Sequence, residues 1–131
     1  MKKAALVARV LLGLMFTVFG LNGFFNFLPA LELGPEAGAF FGGLMDAGYF
    51  IPFLKTVETL SGLMLLAGIG VPLALLFLAP IVSNILMFHI FLDPPNIMLG
   101  LAALALGVFV AYAYRDSFAG VLNFGAKPAG G

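Results

Sequence analysis

The sequence contains no cysteine, no tryptophan and a single histidine. Without cysteine, the chain forms no disulfide, runs no thiol redox chemistry and offers no thiolate to an iron–sulfur cluster. Any electron transfer would therefore depend on a bound cofactor or a partner. A haem held by two histidines is excluded, and the balanced charge, with no basic stripe, does not favour nucleic acid as a partner.

Charged residues are also scarce, at 9% of 131 residues, while 63% are hydrophobic. A soluble domain carries about 25% charged residues. Four apolar stretches approach the roughly 20 residues that a helix needs to cross a bilayer: residues 3–28, 52–69, 72–92 and 96–114. The sequence predicts one all-α domain over residues 1–131, an integral membrane four-helix bundle in the lipid bilayer that ends in a short tail, residues 115–131.

The cationic residues predict the orientation of this bundle. The start, MKKAALVARV, is similar to a signal peptide, but its apolar run exceeds the usual length of about 7–15 residues, so we expect a retained first span. An even number of spans places both termini on one side, together with Lys2, Lys3, Arg9, Arg115 and Lys127, against Lys55 alone on the other. The positive-inside rule then predicts a multi-pass protein of the inner (cytoplasmic) membrane with both termini cytoplasmic.

Three connections join the predicted spans. Residues 29–51 form the only long one, expected to be a loop that acts as a cap or a binding element. Residues 68–72 and 93–96 predict tight turns, and Asn96 is expected to cap the helix that follows.

The apolar run IVSNILMFHIFLDPPN, residues 81–96, raises the question of why such a segment carries polar side chains. Candidate ligand-binding residues in and beside the spans are Asn22, Asn26, Lys55, Glu58, Asn84, His89 and Asp93. Four of them fall about 5–12 Å inside the outer ends of their spans, at about 1.5 Å per helical residue: Asn22, Glu58, Asn84 and His89. The sequence therefore predicts a polar pocket in the outer leaflet.

Two pairs stand out by spacing. An ionised Glu58 is costly in hydrocarbon, so it must pair, take up a proton or reach water, and Lys55 lies one turn away. His89 and Asp93 share a helix face at i, i+4, whereas Asn84 points about 140° away from His89. We expect Glu58 and His89 to meet beneath the 29–51 connection. The alternative is a purely structural role in packing, which is favoured for the three asparagines.

Small residues predict where the helices approach one another. Gly13, Thr17 and Gly20 form a seam on the first span, and a second seam on the fourth comprises Gly100, Ala103, Gly107 and Ala111. Such seams allow close contact between backbones in a membrane.

Three segments resemble the DoxX-like family of small four-span bacterial membrane proteins: ARVLLGLMFTVFGLNGF, LKTVETLSGLMLLAG and PLALLFLAPIVSNILMFHIFLDP. The likeness covers residues 9–115, and its most specific part is Phe88-His89 followed by Asp93-Pro94. The resemblance implies a four-helix membrane bundle and, for some relatives, association with quinone-linked oxidoreductases or oxidative-stress systems. Fold transfers well by such likeness and activity poorly.

Two functions remain open on these residues. The first is a quinone site in a larger membrane complex, where Glu58 and His89 bind the head group or exchange protons with it. The second is a non-catalytic scaffold or assembly factor, alone or as a homo-oligomer. A permease is disfavoured because the inner half of the spans is nearly bare of polar groups, and spacing gives a metal site of His89, Asp93 and Glu58 little support. No catalytic residue is assigned.

Overall fold

The protein is all-helical, as the sequence predicts. A computed structural model describes residues 2–130, in which there is no β-strand. The α-helices are α1 (Lys2–Phe25), α2 (Pro35–Asp46), α3 (Phe50–Ala67), α4 (Val71–Leu92) and α5 (Met98–Ala113). Short 3-10 helices follow α4 and α5, at Pro94–Asn96 and Arg115–Phe118.

Three of these helices, α1, α3 and α4, are long and apolar enough to cross a membrane. Helix α5 is apolar but has 16 residues, fewer than the roughly 20 that a perpendicular crossing requires. A membrane location is therefore plausible, with three helices of spanning length instead of the predicted four.

Residues 29–51, expected to be a loop, contain helix α2. Pro35 occupies its first turn, where a missing N–H costs nothing, and Glu36 beside it faces the positive end of the helix dipole. Helix α2 contacts α3 and α4, with Ala37 fully buried and the Phe40 ring 5.8 Å from that of Phe88. The connection thus forms a helical cap over one end of α3 and α4.

The most extensive helix contact joins α1 and α3, which run antiparallel. A methyl group added to Gly13 would lie 2.8 Å from the Leu66 backbone nitrogen, and one added to Gly62 would lie 2.5 Å from that of Thr17. A methyl group on Gly20 would collide with Thr59. The predicted seam on the first span is confirmed, because nothing larger than glycine fits at these points.

The remaining helices close around this pair, since α5 contacts α1 and α4, and α4 contacts α3. Leu12 and Phe16 of α1, Leu65 of α3, Leu78 of α4 and Val110 of α5 are buried in the shared core.

The second predicted seam is only partly right. Gly100 and Ala103 are buried, and a methyl group on Gly100 would lie 3.3 Å from Ile85 of α4. By contrast, one on Gly107 would meet nothing within 4 Å, so the prediction that Gly107 packs against another helix is wrong. Gly107 shares the helix face of Gly100 and Ala103 by spacing, but no neighbouring element comes close to it there.

The C-terminal tail, predicted from residue 115 onward, folds back along the helices. Its side chains Phe118, Val121 and Leu122 line a cavity of about 470 Å³ together with residues of α4 and α5. Phe118 packs against the helical core, whereas residues 119–130 are exposed.

Leucine in place of Gly13 is expected to destabilise the protein, because its side chain would meet the backbone of α3. The cost should be about 1–3 kcal/mol or more. Leucine at Gly107 is the matched control, since both changes add the same side chain to an apolar helix but only Gly107 faces open space. Thermal unfolding in detergent, followed by circular dichroism, compares them. Equal melting temperatures for the two variants would contradict the α1–α3 packing.

Candidate functional site

His89 lies in the last turn of α4, buried and held by the turn that follows. Its Nδ1 is 3.3 Å from the backbone oxygen of Asp93 and 3.4 Å from Oδ2 of the same residue. Asn96 donates from Nδ2 to both carboxylate oxygens of Asp93, at 3.0 and 2.9 Å. We refer to His89, Asp93 and Asn96 as the histidine cluster.

The local sequence explains this geometry. Pro94 and Pro95 cannot continue α4, so the chain leaves the helix at Asp93, with φ −149° and ψ 57°. The following 3-10 turn returns Asn96 to the carboxylate. The predicted shared face of His89 and Asp93 is confirmed. The expectation that Asn96 caps the next helix is wrong, because α5 begins after Ile97 without a side-chain cap and the Asn96 amide binds Asp93 instead.

The two ring nitrogens of His89 have different surroundings. Both oxygens near Nδ1 are acceptors, a carbonyl and a carboxylate, so Nδ1 carries the proton and donates it. Nε2 makes no hydrogen bond within residues 2–130, and it keeps some solvent-accessible surface. A free lone pair on Nε2 is thus available to a hydroxyl or another donor that reaches the site.

Small and aromatic residues surround the ring. A methyl group on Gly100 of α5 would lie 3.4 Å from Cδ2, the carbon next to Nε2. The Phe88 ring lies 5.3 Å from the imidazole in an edge-on arrangement, and Phe40 of α2 packs against Phe88. The histidine cluster therefore combines one unused acceptor with apolar walls.

Lys55 and Glu58 form the second polar pair, and Lys55 is the nearest candidate partner that the sequence offered for Glu58. Lys55 Nζ lies 3.0 Å from Glu58 Oε2, and the two side chains are 19% and 5% exposed. Glu58 Oε2 makes no aligned hydrogen bond, so its contact with Lys55 is an ion pair. The aliphatic stem of Lys55 packs so closely on Gly23 of α1 that a methyl group there would collide with it. Each charge thus neutralises the other at the α1–α3 contact.

Glu58 and His89, expected to meet, are not paired with each other. Each pairs within its own stretch of chain, and no hydrogen bond or ion pair joins them in the described part of the structure. Glu58 lies eight residues inside the start of α3 and His89 three residues inside the end of α4. These spacings correspond to about 12 and 4.5 Å along the helices.

The three predicted asparagines lie apart from the histidine cluster. Asn22 Oδ1 accepts a hydrogen bond of 2.8 Å from the backbone N–H of Leu28 and so fixes the chain after α1. Asn26 is exposed just beyond the end of α1, with a positive φ of 52°. Asn84 is exposed on α4. Asn22 thus has the structural role that sequence favoured for these residues.

The donor set does not assemble a metal centre. Within residues 2–130, no group of three or more His, Asp or Glu side chains is placed to hold an ion. The open alternative of a site built from His89, Asp93 and Glu58 is not realised, because Glu58 is paired elsewhere.

No family model, curated protein or solved structure matches the chain. Its function is therefore inferred from its own residues and their geometry.

Asn96 is the member of the histidine cluster that the sequence did not reveal as such. The available signal was the spacing Asp93-Pro-Pro-Asn96, in which two prolines force a turn and an amide follows the carboxylate by three residues. An asparagine side chain commonly forms a hydrogen bond within a turn of this kind. The sequence prediction instead gave Asn96 the role of N-cap of the helix that follows.

Methionine in place of Lys55 is expected to destabilise the protein by about 3–5 kcal/mol, because it leaves the buried Glu58 carboxylate without its partner. The apolar stem against Gly23 is retained. Replacing both residues, Lys55→Met with Glu58→Met, should restore most of the loss. Lys127→Met, at an exposed position outside any ion pair of the described residues, is the control. Denaturant titration in mixed micelles measures all four proteins, and no recovery in the double variant would contradict the pairing.

Proposed function

We propose that the chain is a multi-pass inner-membrane protein whose histidine cluster binds a quinol head group. In this proposal, α1, α3, α4 and α5 form a four-helix membrane bundle with both termini in the cytoplasm. The protein acts as a subunit or partner of a quinone-linked oxidoreductase or an oxidative-stress system. Support comes from three apolar helices of spanning length, from the distribution of Lys and Arg and from the resemblance to DoxX-like proteins.

The observation that carries the proposal is the unused Nε2 of His89. A quinol hydroxyl can donate to this lone pair, and transfer of its proton would form an imidazolium next to the Asp93 carboxylate, 3.4 Å from Nδ1. Asn96 keeps that carboxylate in position. Phe88, Phe40 and Gly100 offer apolar surface to a flat ring. The chain has no thiol or cluster of its own, so the electrons would pass to a redox centre of the partner.

A scaffold or assembly role is the second candidate. It is favoured by the Lys55–Glu58 pair, which satisfies itself inside the α1–α3 contact and needs no ligand. The two functions predict different behaviour of His89. In a scaffold the residue would contribute only to stability, whereas in a quinol site it would determine binding.

Single introduced cysteines can test the topology, because the chain has no cysteine of its own that would react with the reagent. Replacements at Lys2, Gly38, Ile69 and Ala129 are expected to react with an impermeant thiol reagent on intact cells only at position 38. Gly38 in α2 has open space for the new side chain, and the other three positions are exposed. Labelling of position 2 or 129 before the cells are opened would reverse the proposed orientation.

Phenylalanine in place of His89 is expected to lower the affinity for a short-chain quinol by at least about tenfold, since a hydrogen bond to a fixed acceptor is lost. The purified protein is titrated anaerobically by intrinsic tyrosine fluorescence, with melting temperature recorded in parallel. Asn96→Ala should weaken binding less, because it only loosens Asp93. Asn84→Ala, a polar and exposed position on the same helix, is the control.

The outcomes separate the two candidate functions. Lost binding at an unchanged melting temperature supports the quinol site. Failure of the parent protein to bind quinol, together with a lower melting temperature of His89→Phe, favours the scaffold.

A further inference from the structure

Two cavities flank the cytoplasmic end of α5 in the proposed topology, away from the histidine cluster. One, of about 460 Å³, lies between the start of α1 and the end of α5. The other, of about 470 Å³, lies between α4, α5 and the C-terminal tail. Arg115 lines both. We call them the basic cavity and the apolar cavity, after the side chains that line each one.

The basic cavity has an excess of positive charge. Lys2, Arg9 and Arg115 line it, and Asp116 is its one acidic residue. None of these four side chains takes part in an ion pair within residues 2–130. The cavity therefore lacks the negative charge that would balance three cations.

Arg9 shows this most clearly. Its Nε is fully buried and has no hydrogen-bond partner among the described residues. Its guanidinium lies against the end of α3, where a methyl group on Gly68 would collide with Nη1. A buried donor of this kind normally has a partner, and Arg9 also lines the basic cavity, so its charge can act on an anion bound there.

Arg115 is held in place while keeping donors free. Its Nη1 donates to the backbone oxygen of Tyr112 at 2.9 Å, and its guanidinium lies 4.4 Å above the Tyr112 ring. Helix α1 also begins here, at Lys2, so the positive end of its dipole adds to the field. Arginine forks beside a helix N-terminus suit the oxygens of a phosphate.

The apolar cavity distinguishes a lipid phosphate from a free one. Its walls include Leu75, Ala79, Val108 and Leu122, and Arg115 also lines it. An inorganic phosphate would leave this space unused, whereas an acyl chain attached to the phosphate would fill it. The phosphate and the acyl chain of one lipid would thus each have a cavity, one on either side of Arg115.

We propose that this end of the protein binds an anionic phospholipid, with its phosphate in the basic cavity and part of an acyl chain in the apolar cavity. Basic pockets between membrane helices on the cytoplasmic side suit such head groups. The assignment does not depend on quinol binding at His89. It identifies a lipid site at the opposite end of the molecule.

Native mass spectrometry of the full chain in detergent tests the proposal with dioleoyl phosphatidylglycerol as the probe. We expect phosphatidylglycerol to bind more tightly than dioleoyl phosphatidylcholine, which has no net charge. Arg9→Gln and Arg115→Gln should each raise the dissociation constant about fivefold, the effect of one cation near a lipid surface. Lys127→Gln, a lysine outside both cavities, is the matched control and should change nothing.

Two further variants guard against simple misfolding. Asp116→Asn removes the one negative charge of the basic cavity and should tighten phosphatidylglycerol binding. Misfolding would instead weaken binding. Ala79→Phe fills the apolar cavity and should weaken binding of the lipid, while leaving intact the weaker competition by glycerol 3-phosphate.

Three results would overturn the proposal. These are equal affinity for the two lipids, equal loss in Lys127→Gln and Arg115→Gln, and competition by inorganic phosphate as strong as by the lipid. The last would assign the basic cavity to a soluble anion.

Discussion

The backbone contact between α1 and α3 fixes the positions of two charged side chains, Lys55 and Arg9. Lipid gives no hydrophobic reason for two apolar helices to associate, so close packing between small residues has to supply it. Here Gly13 and Gly20 set the distance and register of the pair. That register places the stem of Lys55 on Gly23 at one end and the guanidinium of Arg9 at the end of α3 at the other. A shift of one turn would separate both from their present neighbours.

The polar residues in the run from 81 to 96 have distinct roles. Asn84 lies on the outside of α4, whereas His89 and Asp93 face inward and are completed by Asn96 after the proline turn. A carboxylate that is itself fixed by an amide orients the imidazole and leaves its second nitrogen unused. The charge of Glu58 is balanced in a different place, by Lys55. The polar side chains expected in one outer-leaflet pocket therefore pair in two sets, each within its own stretch of chain.

Local patterns predicted local features. The all-α class, the seam on α1, the Lys55–Glu58 pair and the shared face of His89 and Asp93 all follow from composition or from spacing along one helix. The failures have both local and non-local causes. Helix α2 was missed because glycines lower its helix propensity. The prediction for Gly107 failed because small size and spacing do not indicate whether a neighbouring helix approaches that point. Whether Glu58 pairs with His89 depends on how α3 and α4 pack together, which spacing along one helix does not specify.

The short length of α5 has a consequence for the surrounding lipid. Its 16 residues span about 24 Å, while the 22 residues of α4 beside it span about 33 Å. As a membrane-crossing helix, α5 would fall about 6 Å short of a hydrocarbon core of about 30 Å. Lipids along this side would be compressed and the interface drawn inward, a mismatch that sorts proteins toward thinner membrane regions and promotes association with other helices. The thinned flank would be where a neighbouring protein could approach at the least cost to the bilayer.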